Sequence, residues 1–270
     1  MAAFDPVLVT LGRALLAAVL AALALAFTRQ RRLPTGAEWR QLAVVAGGVI
    51  LGFPLLSSWA MGYLPASHGA VVLGLLPLAT AGVASLRNGE RPSLGFWLAS
   101  ALGSLVVVAY GLRAGGGSLH LADLGLLGAV AAAALGYAEG GRLARALGGW
   151  QTISWALLLA APFLLVPFAI LLAAKGLSGP VNAWLAFGYL GVVSQFAAFI
   201  AWYKGLALGG IAWTGQLQLL QPFLTVIAAT LLLGERLAPD SVVAAVLVLV
   251  LVALSRRRRT ANQGAEGLDR

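Results

Sequence analysis

The sequence predicts an all-α protein, a polytopic bundle of membrane-spanning helices. Three observations predict it: 60% of the 270 residues are apolar against 10% charged, the mean hydropathy is +0.92, and the apolar residues form long unbroken runs. A soluble domain carries roughly 25% charged residues, and one crossing of the hydrocarbon core takes about 20 apolar residues. The composition therefore excludes a soluble globular fold. Backbone groups have no water to bond inside lipid, so runs of this length dictate helices.

Nine spans follow in order. The first covers about 6 to 28 and closes on Arg29, Arg31 and Arg32; no basic leader or small-residue cleavage site marks it for removal, so it is expected to stay. The second, 38 to 60, lies beyond Pro34 and carries Gly48 and Gly52, a small-xxx-small pair suited to close helix packing. The third, 65 to 87, contains Pro77, and the fourth, 93 to 112, is entered after Pro92. The fifth, 120 to 139, follows a turn at Gly115 to Gly117 and carries Gly136, the first of a second such pair with Gly140. The sixth covers 150 to 174 and the seventh 181 to 203, after Pro180. The eighth, 207 to 233, contains Pro222, and the ninth, 238 to 255, begins at Pro239 and ends on Arg256 to Arg259.

Charge orients the bundle. Alternating the sides puts Arg29, Arg31, Arg32, Arg40, Arg87, Arg91, Arg142, Arg145, Lys204 and Arg256 to Arg259 together, against Arg113, Lys175 and Arg236 opposite. Basic loops stay cytoplasmic, so the C-terminus is expected inside and Met1 outside. The net charge of +9 then needs no nucleic acid. Trp39, Trp59, Trp97, Trp150, Trp184 and Trp202 lie near span ends, where a belt at headgroup level is expected. The chain has no cysteine, which removes thiol catalysis and Cys-ligated metal.

The chain repeats itself. A shift of 145 residues lays 57–92 on 202–237 without a gap, pairing Pro77 with Pro222, Thr80 with Thr225, and Gly89-Glu90-Arg91 with Gly234-Glu235-Arg236. The third span falls on the eighth, and a displacement of five helices inverts the second copy in the membrane. Inverted repeats typify secondary transporters, which hold substrate near the midplane between the copies. The predicted organisation is a first half of four spans over 1–115, a second half of five over 116–255, and a basic cytoplasmic tail over 256–270. Five-helix copies make a ten-span 5+5 design lacking its first helix, so an opening helix is expected upstream of Met1 or is lost.

The block running from Pro77 to Gly89-Glu90-Arg91 and its partner, Ala207-x6-Thr214-x7-Pro222 into Leu233-Gly234-Glu235-Arg236, resembles the EamA family of the drug/metabolite transporter superfamily. The resemblance covers nearly the whole chain. It implies ten spans and export of amino acids or other small metabolites.

Candidate site residues follow from the prolines. A proline inside a helix frees the carbonyl four residues earlier, which in lipid needs another partner, so Pro222 and Pro77 are expected to kink their spans beside a cavity. Thr214, Gln218, Gln221 and Thr225 share a face of the eighth span at helical spacing; the bland alternative is interhelical hydrogen bonding. Gln216 points away from that face. Gln195 and Trp202 mark one side of the seventh span, and Arg13 lies two turns into the first, facing either a substrate carboxylate or the headgroups near Asp5. His68 and His120 read as interfacial, Glu139 as a surface partner of Arg142, and no acid is expected at mid-membrane depth.

The resulting expectation is a non-enzymatic cell-membrane exporter of small polar or amphipathic solutes, without cofactor or metal. Its partners are a small-molecule substrate and membrane lipid, and a homodimer is left open. The alternative is a truncated, non-transporting paralogue that packs against a partner protein.

Overall fold

The computed structural model describes residues 4–28, 32–64, 69, 72–113, 120–233 and 242–253. The described residues contain helices and no strand. Helix α1, Pro6–Phe27, starts where the Asp5 carboxylate accepts from the Val7 and Leu8 amides at 3.0 and 3.2 Å, with Pro6 set at the first position. Helix α2, Gly36–Met61, opens on a capping box between Thr35 and Glu38 and widens into a π-helix over Ala46–Gly52. Helix α3, Leu76–Asn88, stops at Gly89, whose φ of 67° suits a residue without a Cβ.

Helices α4, Leu94–Arg113, α5, Ala122–Leu147, and α6, Gly149–Lys175, follow. Helix α7, Val181–Gly209, carries a second π segment, Leu190–Ala197. The chain then turns at Gly210 into α8, Ile211–Gly215, tightens to a 3-10 helix over Gln216–Leu220, and resumes as α9, Gln221–Leu233. Helix α10 is Val242–Ala253, and α1, α2, α5, α6 and α7 are long and apolar enough to cross a membrane. The protein is a helical membrane bundle.

Three expectations change. The fifth span does not end at 139; it continues to Leu147, because Leu143, Ala144 and Leu147 bury one stripe while Arg142 and Arg145 face outward. Apolar content ends there before helical periodicity does. The seventh span likewise runs on to Gly209. The third and eighth are broken rather than kinked, with Pro77 and Pro222 each second in a new helix, where proline's missing N–H costs no helical bond. Gln218 keeps its carbonyl partner, since the 3-10 turn brings the Gln221 amide to it. The division at 115/116, the tail 256–270, His68 and the Glu235-Arg236 turn lie outside the described residues.

Two pairs of helix starts stand 145 residues apart, Gly36 with Val181 and Leu76 with Gln221. Helices α2 and α7 begin at Gly36 and Val181, their π segments cover 46–52 and 190–197, and α3 and α9 are both 13 residues long. Helix α5 forms the central post. A side chain at Gly48 would collide with the backbone of Ala132 and Gly136, so α2 and α5 touch backbone to backbone as the small-residue pairs predict.

Basic residues gather at one end. Arg32 donates to the Ala146 carbonyl at 3.1 Å, Arg87 meets Glu139 at 3.0 Å, and Arg145 meets Glu90 at 3.0 Å. At the opposite end Lys175 pairs with Asp5. Of the expected belt, Trp59 and Trp184 are exposed, whereas Trp39 packs on Trp155 and Trp97 on Phe96 beside the core. Their span-end positions coincide with helix crossings, which draw the rings inward.

Candidate functional site

A cavity of about 280 Å³ is walled by Tyr137 of α5, Trp202 of α7, Leu217 and Gln218 of the 3-10 turn, and Gln221 and Leu224 of α9. The local winding explains the wall. At three residues per turn, side chains at i and i+3 eclipse, which stacks Gln218 over Gln221 and leaves Gln216 and Leu219 to share the buried face. Trp202 meets Tyr137 edge to face at 5.6 Å, and behind it Tyr203 is buried against α5. The indole N–H of Trp202 and both amide atoms of Gln218 are buried and have no hydrogen-bond partner among the described residues. Buried polar groups are nearly always paired, which sets these three atoms apart from the rest of the wall.

The remaining candidates disperse. Thr214 donates its hydroxyl to the Gly205 carbonyl at 3.1 Å, joining α8 to α7; tighter winding rotates it off the Gln218 face. Gln216 is buried and donates to the Ser100 hydroxyl of α4. Pro77 is buried at the start of α3, Pro222 half-buried behind the cavity, and Gln195 buried in the π segment of α7. The side chain of Thr225 lies outside the described residues. Arg13 is half-buried and makes no hydrogen bond or ion pair among the described residues. It shares a face of α1 with Thr10, which reaches the Ser58 hydroxyl at 3.5 Å, and with Leu16, which packs on Gly191. Arg13 thus stands on the face of α1 that Thr10 and Leu16 turn toward α2 and α7, and it does not line the Gln218 cavity. Asp5 is paired to Lys175 instead.

Glu139 is a correction. It is buried two turns inside the end of α5 and meets Arg87, while Arg142 faces outward. The longer helix carries this acid deep into the bundle.

A second recess, of about 430 Å³ at the Arg-rich end, is lined by Glu90, Arg91, Arg145, Ala207, Leu208, Gly210 and Trp213. Here Glu90 accepts from the Ile211 and Ala212 amides, both at 2.8 Å, while Arg145 holds the same carboxylate.

The sequence profile of the EamA-like transporter family matches the chain over residues 1–111 and 120–257. The chain belongs to the EamA-like transporter family. It is a multi-pass membrane transporter of the drug/metabolite type. It is similar to the uncharacterized transporter YdeK of Bacillus subtilis (strain 168), with 44% identity over 255 residues, covering 94% of this chain and 88% of that protein. A crystal structure of a further protein shares the fold, with a TM-score of 0.75 at 20% identity over 94% of this chain and 89% of that one.

For this EamA-like chain, sequence reading missed Tyr137, Leu217, Leu224 and the carboxylate cap by Glu90. Tyr137 carried a signal in its place two residues before Glu139, inside the Gly136/Gly140 packing face. The Glu90 contact carried none, because its partners lie 121 and 122 residues away.

Proposed function

We propose that the chain exports a small neutral or zwitterionic metabolite, such as an amino acid, across the cell membrane by rocking two oppositely threaded halves around the Gln218 cavity. One observation carries the site: Gln218 and Trp202 hold unpartnered buried donors and acceptors on a wall without a charged residue. Leaving such groups unpaired costs about 1 to 3 kcal/mol each, so a solute that pairs with them binds where apolar cargo does not. Ligand pockets run from about 300 to 1,000 Å³, and a cavity near the lower end favours a compact solute.

The rocking motion draws support from the recurrence of helix bounds at 145 residues and from the packing of α3 beside α8. Thr80 lies against Gly215 while Glu90, beyond the end of α3, meets the start of α8, so the two run antiparallel as inverted copies must. The Arg-rich end is the cytoplasmic one in this reading, and Arg13 draws a carboxylate-bearing solute toward its face of α1.

The test is flux. Cells overproducing the chain should resist toxic amino-acid analogues and lose preloaded labelled solute faster than cells carrying Gln218→Leu. Efflux no faster than from cells lacking the chain, across a panel of neutral and zwitterionic solutes, would sink the proposal and leave the non-transporting paralogue, while equal efflux from parent and Gln218→Leu would remove Gln218 from the site.

A further inference from the structure

Helix α8 begins just after Gly210, which has no side chain to cap it, and its first two amides are instead bonded by a carboxylate from the other half of the chain. Helix N-termini carry partial positive charge and unsatisfied N–H groups, and charge-assisted bonds to them are the strong ones. Glu90 is itself held by Arg145 of α5. The α3–α5 pair is tied independently, by Arg87 to Glu139 and by Asn88 to the Ala138 carbonyl at 3.0 Å. Two sets of bonds therefore meet at this end. One fastens α3 to α5, and the other reaches from that unit to α8, whose continuation carries Gln218.

The Arg-rich end is sealed under the cavity. Ile211, Ala212 and Leu206 are fully buried, Gly141 of α5 leaves no room beside Ile211, and Phe96 meets Trp213 at 4.6 Å. We infer that Glu90 is the positioning residue that latches this end shut: its carboxylate, oriented by Arg145, holds the start of α8 against the α3–α5 unit and must let go before the Gln218 cavity opens toward the Arg-rich side. Releasing it frees two amides into an interfacial recess, where water replaces the carboxylate. The unit keeps its own ties, so opening moves α8 without unpacking α3 from α5. This inference rests on the rocking reading above.

The chain has no natural cysteine, so Gln218→Cys supplies a single reporter in the full-length protein. Membrane vesicles of either orientation are treated with a membrane-impermeant methanethiosulfonate, and exposed Arg142→Cys, made separately, reports which side faces the reagent. Adding Glu90→Gln keeps the size but weakens the cap. It should raise labelling of Gln218→Cys from the Arg-rich side about tenfold, the shift that 1.4 kcal/mol produces, and lower it from the opposite side. Arg142→Cys should label unchanged. A merely structural role for Glu90 would raise labelling from both sides together, and that result, or no change from the Arg-rich side, overturns the latch. Should Glu90→Gln fail to reach the membrane, Arg145→Met leaves the carboxylate present but unheld and should give the same asymmetry at smaller size; a symmetric or absent response overturns the latch equally. If Gln218→Cys labels in the parent chain but ignores Glu90, only the latch fails. If it resists reagent from both sides in every background, the cavity reading fails and takes the latch with it.

Discussion

Tyr203 fills the space that a side chain at Gly140 would need, and its hydroxyl donates to the Gly136 carbonyl at 3.4 Å. The ring is fully buried, so α7 approaches α5 as closely as it does only because position 140 is glycine. Gly140→Ala should cost about 1 to 3 kcal/mol, the usual penalty for overpacking a rigid core. Thermal unfolding of the purified chain in detergent measures it; an unshifted midpoint would mean that the ring moves freely.

Gln218→Leu separates stability from function. It removes a buried amide without partners, so the variant should be as stable as the parent or more so, by up to about 2 kcal/mol, while efflux falls at least tenfold. Parallel melting and efflux measurements check both signs. A variant that melts lower and transports normally would assign Gln218 to packing.

Trp202→Phe removes one donor and keeps most of the ring. Affinity for the transported solute should fall about tenfold, the worth of one hydrogen bond of about 1.4 kcal/mol, with an unchanged melting point. Binding titrations against the solute found in the efflux screen would settle it.

The Arg87–Glu139 pair joins a half-exposed guanidinium to a buried carboxylate. Arg87→Met should destabilise by about 2 kcal/mol, below the 3 to 5 typical of fully buried pairs because solvent already screens the arginine. The double replacement Arg87→Met with Glu139→Gln should recover most of the loss. Unfolding midpoints of the three proteins form the cycle, and equal loss in single and double variants would contradict it.

The hydrogen bond from Lys175 holds the Asp5 carboxyl below its ordinary 3.8, with the Leu8 and Val7 amides acting in the same direction and desolvation opposing them. A folded value below the unfolded one stabilises the protein above about pH 4, and the contribution is lost as pH falls through the folded value. The pair is partly exposed, so the loss is under about 1 kcal/mol. Melting curves from pH 7 to 3 should show an acid-side decline that is smaller in Asp5→Asn.

Part of the candidate cavity wall is legible in the sequence, though not its registration. Gln218 and Gln221 stand out because an amide stripe beside a proline is uncommon in an apolar run, and Trp202 because it lies on one side of the seventh span with Gln195. A uniform helix of 3.6 residues per turn aligns Thr214 with Gln218 and Gln221; the change to three per turn over Gln216–Leu220 turns it to the Gly205 carbonyl instead. The apolar run stops at Glu139 and so places it at a span end, whereas the helix continues for two more turns and buries it.

The sequence by itself determined the helical membrane bundle and marked Pro77 and Pro222 as points where helical bonding is disturbed, because solvent class and backbone stereochemistry are properties of short stretches of chain; that the spans break there, and do not merely kink, was decided by the tertiary structure. The tertiary structure alone decided that Tyr137 faces Trp202, that Glu139 is buried against Arg87, and that Glu90 caps α8. Those depend on which residue stands opposite which across a helix crossing, and no local spacing encodes a partner 121 residues away.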